Sequence, residues 1–153
     1  MLKIDQFKDL TDREATLVYQ TPALVTILVA AADNDIDEKE TGWAKKVMGY
    51  RQSIGDETLF EYYELAENSF ETSLQALVNR GDGNQERLSY ITAQLTELND
   101  VLKKLDREYA RKLVKSWRSL AAQIAKADGG FMGFGTVSHQ EADLMNLSMI
   151  EDF

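Results

Sequence analysis

Ala32-Asp33-Asn34-Asp35-Ile36-Asp37-Glu38-Lys39-Glu40 closes an apolar helical run and opens another helix. The same grammar returns, loosened, as Ala127-Asp128-Gly129-Gly130 and, after a short insert, Val137-Ser138-His139-Gln140-Glu141. Superposing Asp33 on Asp128 pairs Val25 with Leu120, Val29 with Ile124 and Ala32 with Ala127, then Ile36 with Val137 and Glu40 with Glu141. Apolar positions meet apolar positions, so each copy reads as a helix-loop-helix unit whose incoming helix presents the same stripe. In each unit Ile36 or Val137 is placed as a staple before the N-cap, Asp37 or Ser138 caps the outgoing helix, and Glu40 or Glu141 closes a capping box. Two such units predict an all-α fold.

The flanking sequence extends that expectation. Thr21-Pro22 has the form of an N-cap followed by an N1 proline, starting a helix through Val25, Leu28, Val29 and Ala32. Trp43, Val47 and Tyr50 continue the helix capped by Asp37. Gly55-Asp56 marks another start, followed by Phe60, Tyr63, Phe70, Leu74, Leu77 and Val78, and the capping pair Asn68-Ser69 offers a place to divide this run. After the turn Gly81-Asp82-Gly83-Asn84, the residues Leu88, Ile91, Leu95, Leu98, Leu102 and Leu105 alternate steps of three and four, the spacing of a helical seam. Asp106 caps a following helix with inner face Tyr109, Leu113, Trp117, Leu120, Ile124 and Ala127, unless 105–107 fail to break and one long helix results. These last two helices are expected to pack antiparallel. No run alternates apolar and polar residues between turn signals, and no linker composition appears. The expectation is one domain over 1–153, core about 20–150, built as a single compact helical bundle of about seven helices with two pseudo-repeated units.

A chain of 153 residues buries about 70% of its unfolded surface on folding. Without cysteine it has no disulfide framework, thiolate ligand or cysteine nucleophile, which favours an intracellular setting. The start Met1-Leu2-Lys3-Ile4-Asp5 mixes charge with apolar residues, and the run Ala23–Ala32 is too short to span a bilayer, so a cytoplasmic protein without membrane insertion is expected. A formal charge of −9 argues against nucleic acid and anionic lipid. Arg107, Arg111, Lys112, Lys115 and Arg118 nonetheless crowd one segment, and 107, 111, 115 and 118 share a helix face. The plainer account of that stripe is a solvated face complementing acidic neighbours.

Val29-Ala30-Ala31-Ala32-Asp33-Asn34-Asp35-Ile36-Asp37-Glu38-Lys39-Glu40 resembles the signature of the tellurite-resistance TerB-like domain, an alanine-rich helix ending in an Asp-Gly turn before an Ile-Asp-x-x-Glu helix start. Ile124-Ala125-Lys126-Ala127-Asp128-Gly129-Gly130-Phe131-Met132-Gly133-Phe134-Gly135, with Val137-Ser138 and Glu141, is similar to the family's second signature. The resemblance covers about residues 20–150, by helical pattern alone in the middle. Asn34 departs from the frequent glycine, but asparagine also tolerates the left-handed conformation. The resemblance implies an all-helical bacterial module of the stress-response type, with metal ligands proposed among the acidic loop positions.

Asp33, Asp35, Asp37 and Glu40 place four carboxylates around one turn, a hard-oxygen set suited to calcium or magnesium ahead of zinc. An EF-hand would need glycine at Glu38 and a bidentate acid at Ala44, so any site is looser or shared, with Asp128 and Glu141 completing the candidate metal set. Capping and the helix macrodipole already account for Asp37 and Glu40, leaving Asp33 and Asp35 as the less explained pair. His139, the only histidine, falls in a first helical turn and reads as incidental. The glycine-rich stretch 129–135 follows a helix and lacks the Gly-Lys-Ser/Thr ending of a phosphate loop, so Phe131, Met132 and Phe134 read as core plugs or a partner-facing knob. Trp43 and Trp117 read as core anchors.

The leading expectation is a non-enzymatic module acting through a protein partner, with a divalent cation as clip or regulator. Two alternatives stand beside it. One is a metal-dependent hydrolase using carboxylates from both loops, for which inward-facing Glu and His pairs are missing; the other is a scaffold whose Leu88–Leu105 seam pairs with a second chain.

Overall fold

From Leu17 to Ala30 every residue except Gln20 is buried, and the fold is arranged around this one helix. A helix that is apolar all round has to be enclosed by others. The computed structural model describes residues 3–31, 38–51, 55–80, 83–126 and 146–153, with the side chains of 38–41, 43, 50 and 126 outside that description. Its α-helices are α1 (Asp12–Ala30), α2 (Glu38–Tyr50), α3 (Phe60–Val78), α4 (Asn84–Leu102) and α5 (Arg107–Lys126), with single 3-10 turns at Asp5–Phe7 and Glu57–Leu59. Among the described residues there is no strand, and no helix is long and apolar enough to cross a membrane. α1 packs most extensively on α3, then on α5, α4 and α2, while α2 also touches α5 and α3.

α1 begins ten residues before the expected Thr21-Pro22 start. Thr11 is the N-cap of a closed capping box: its hydroxyl accepts from the Glu14 amide at 3.1 Å, and the Glu14 carboxylate accepts from the Thr11 amide at 2.9 Å. Pro22 therefore sits inside the helix, where it cannot donate to the carbonyl of Val18. That carbonyl is taken by the Tyr62 hydroxyl of α3 at 2.7 Å, which in turn accepts from Trp117 Nε1 of α5 at 3.1 Å. Buried Thr21 and Thr26 satisfy their hydroxyls on the carbonyls of Leu17 and Pro22, at 2.9 and 2.7 Å.

α3 runs unbroken through Asn68-Ser69, because Tyr62, Tyr63, Ala66, Phe70, Leu74 and Leu77 keep one inward stripe across them while Asn68 stays exposed. In α4, Ile91, Leu95, Leu98 and Leu102 are buried and Leu88 packs half-buried on the core, so the seam is consumed within the chain. α4 and α5 are separate helices, with Asp106 accepting from the Tyr109 amide at 3.1 Å. They do not form the expected antiparallel pair: both turn their apolar faces to α1, and neither packs extensively on the other. The expected count of about seven helices meets five α-helices among the described residues. The last expected helix, from Ser138, lies outside those residues.

Candidate functional site: a cationic groove along helix α5

Of the candidate metal residues, Asp33, Asp35, Asp37, Asp128 and Glu141 lie outside the described residues, as do His139 and the stretch 129–135. Glu40 belongs to the first turn of α2, its side chain outside the description. The chain leaves α1 toward the first acidic loop at Ala31, whose carbonyl accepts from Asn84 Nδ2 at the start of α4 at 3.1 Å. Among the described residues no three His, Asp or Glu gather with metal-ligand spacing.

The described residues assemble a different site. Lys112, Ser116, Ser119 and Gln123 follow one another on α5 in steps of four, three and four, and so share a face. Arg51, just past the end of α2, lays its guanidinium across that face. Its Nη1 donates to the Ser116 carbonyl at 2.9 Å and to the Ser116 hydroxyl, and reaches the Tyr63 hydroxyl at 3.4 Å. Its Nη2 donates to Ser119 Oγ at 3.2 Å and Gln123 Oε1 at 3.1 Å. The guanidinium carbon stands 5.6 Å from the Tyr63 ring centroid, within cation–π range. All these partners are uncharged, and no carboxylate pairs with Arg51 among the described residues. Tyr63 hydrogen-bonds the Ser116 hydroxyl, and burial pushes its phenol above the usual range, with Arg51 opposing in part. The phenol therefore stays neutral and acts as a hydrogen-bonding post.

A groove runs from Arg51 along α5 to the C-terminal segment, with Val47, Leu59, Val114 and Phe153 as its apolar lining. Among the described residues its charged lining is Arg51, Arg111, Lys112, Lys115 and Arg118 against Asp56, Glu108 and Asp152, five positive and three negative, a net +2 on a chain of −9. The three acids are each spoken for. Asp56 pairs with Lys112 at 3.5 Å, Glu108 with Arg111 at 3.6 Å, and Asp152 with Arg118 at 2.6 Å. The Asp56 carboxyl is held below its usual range, first by the Thr58 hydroxyl and also by Lys112. Exposed Lys115 and partly buried Arg51 then supply the excess positive charge.

The basic stripe visible in the sequence thus divides into clamps and a surplus. Lys112 ties down the turn at Glu57–Leu59, also reaching Thr58 Oγ1 at 3.3 Å, and Arg118 holds the C-terminal segment. Arg51 was not singled out by sequence reasoning. Its partners on α5 lie 65 to 72 residues away along the chain, and no local pattern marks it. Among the described residues Ser116 is flanked by a guanidinium and a phenol, with no general base beside its hydroxyl. No family model matches the chain, and neither the curated proteins nor the solved structures compared with it give a match.

Proposed function

We propose that the chain is a cytoplasmic, non-enzymatic binding module of TerB-like type, serving a bacterial stress response by docking a protein partner. The observation that carries the partner reading is the net-positive groove around Arg51 on an otherwise strongly acidic protein. A short acidic segment feels the local groove, because charges beyond about 8 Å are screened at physiological salt. A long polyanion such as nucleic acid meets the whole −9 field. The contact of α1 with α5, the incoming helices of the two pseudo-repeated units, supports the paired-unit reading. The cation part of the reading rests on the TerB-like resemblance: Asp33, Asp35, Asp37, Glu40, Asp128 and Glu141 would hold calcium or magnesium as a clip between the loops.

The test is fluorescence anisotropy with a labelled glutamate-rich peptide, run with calcium, magnesium or no divalent ion. Binding should weaken as salt is raised and drop about tenfold in Arg111→Glu/Lys115→Glu. Binding that ignores both salt and charge reversal refutes the groove as the partner face. A thermal shift with calcium or magnesium that survives Asp33→Asn/Asp35→Asn removes the acidic loops from the reading.

A further inference from the structure

Residues 146–153 bridge two helices that do not pack extensively on each other. From α4, Asn99 donates through Nδ2 to the Met149 carbonyl at 2.9 Å and accepts through Oδ1 from the Glu151 amide at 2.8 Å. From α5, Arg118 donates through Nε to the Asn146 carbonyl at 3.1 Å, through Nη2 to the Ile150 carbonyl at 2.8 Å, and through Nη1 to the Asp152 carboxylate at 2.6 Å. Four of these five bonds fall on main-chain atoms. Leu147 and Ile150 are buried, and Lys103 stands 3.5 Å from the Glu151 carboxylate.

The seated segment is a turn, closed by the Ile150 amide on the Leu147 carbonyl at 3.0 Å, and the turn brings Leu147 and Ile150 to the same buried side while Asn99 grips the Met149 carbonyl and the Glu151 amide. Main-chain bonds give affinity, pockets for spaced side chains give selectivity, and charge sets direction. Leu147 has φ 52°, in the left-handed region that favours glycine, so the seated segment carries backbone strain that release removes.

We propose that the α4–α5 cleft is a peptide-docking seat, occupied in cis by residues 146–153, that takes in trans a partner segment of the same chemistry: two apolar side chains three residues apart, followed at once by acidic residues. This goes beyond the groove reading and does not depend on it, although Asp152 and Phe153 also line the far end of that groove. Tethering gives the cis segment an effective concentration of order millimolar, so a free peptide competes poorly until the cis segment is disabled.

The experiment titrates a labelled peptide of the sequence Asn146–Phe153 into the full chain, as wild type and as Leu147→Asp/Ile150→Asp. The double variant should bind about tenfold more tightly than wild type or better, and Asn99→Ala added to it should remove at least that gain. Equal binding to wild type and double variant, or indifference to Asn99→Ala, overturns the proposal. Should the double variant not fold, hydrogen exchange on wild type decides. The Glu151 amide, protected by Asn99, should exchange about 100-fold faster than the core amides of α4 and α5. Exchange as slow as the helix cores means that the segment leaves only on global unfolding, and overturns the proposal equally.

Discussion

Tyr62→Phe deletes one oxygen and strands two partners. The Tyr62 hydroxyl is the donor that the Val18 carbonyl receives in place of the amide Pro22 lacks, and it is also the acceptor for Trp117 Nε1. Tyr62, Val18 and Trp117 are all fully buried, so water cannot substitute. An orphaned buried polar group costs about 1–3 kcal/mol, which puts the loss at about 2–6 kcal/mol for the pair. For a domain of this size, a mid-range 3 kcal/mol lowers Tm by about 6–12 °C.

The decisive measurement is a double-mutant cycle with Pro22→Ala, read by urea unfolding with tryptophan fluorescence and circular dichroism. An alanine at 22 restores an amide aimed at the Val18 carbonyl, so in that background Tyr62→Phe strands only Trp117 and should cost about 1–3 kcal/mol less. Equal costs in the two backgrounds, within about 0.5 kcal/mol, would mean that Tyr62 does not compensate for the proline.

The same substitution at Tyr109 should act with the opposite sign. Its hydroxyl is buried with no hydrogen-bond partner among the described residues, and burial pushes the phenol far above its usual range, so Tyr109→Phe should raise stability in urea unfolding by about 1 kcal/mol. Glu14 gives a pH dependence. Its carboxyl is held below the ordinary 4.5, first by Lys104 at 2.6 Å and then by the Thr11 amide. A lowered folded pKa means that this contribution is present above pH 4.5 and lost as pH falls through the folded value, so Glu14→Gln should show a shallower acid loss of stability than wild type. Parallel acid profiles would remove Glu14 from that transition.

What the sequence revealed was what repeats locally. The three-four spacing of α4, the Asp106 cap and the inner face of α5 need only nearest-turn information; the first two stand in the structure, as does the face from Tyr109 to Ile124, while Ala127 lies outside the described residues. Pro22 misled because its usual grammar is local, whereas its accommodation comes from Tyr62, whose hydroxyl reaches the Val18 carbonyl from 44 residues along the chain. The expected α4–α5 pairing failed for a related reason. Periodicity says which face of a helix is apolar, not which helix it meets, and both faces found α1. Arg51 was invisible because a cation held by serine, tyrosine and glutamine on a distant helix has no spacing to detect. The acidic loops lie outside the described residues, apart from the backbone of residues 38–40 at the start of α2.

The enclosure of α1 also bears on how the chain is made. The ribosome finishes this apolar helix well before it releases α3 and α5, its two most extensive partners. Nearly 100 residues separate Ala30 from Lys126, and at roughly 5–20 residues per second α5 is complete only about 5–20 s after α1. Through that interval the most hydrophobic element has too few neighbours to hide against. The nascent chain is therefore a natural client for chaperones that bind apolar segments at the exit tunnel.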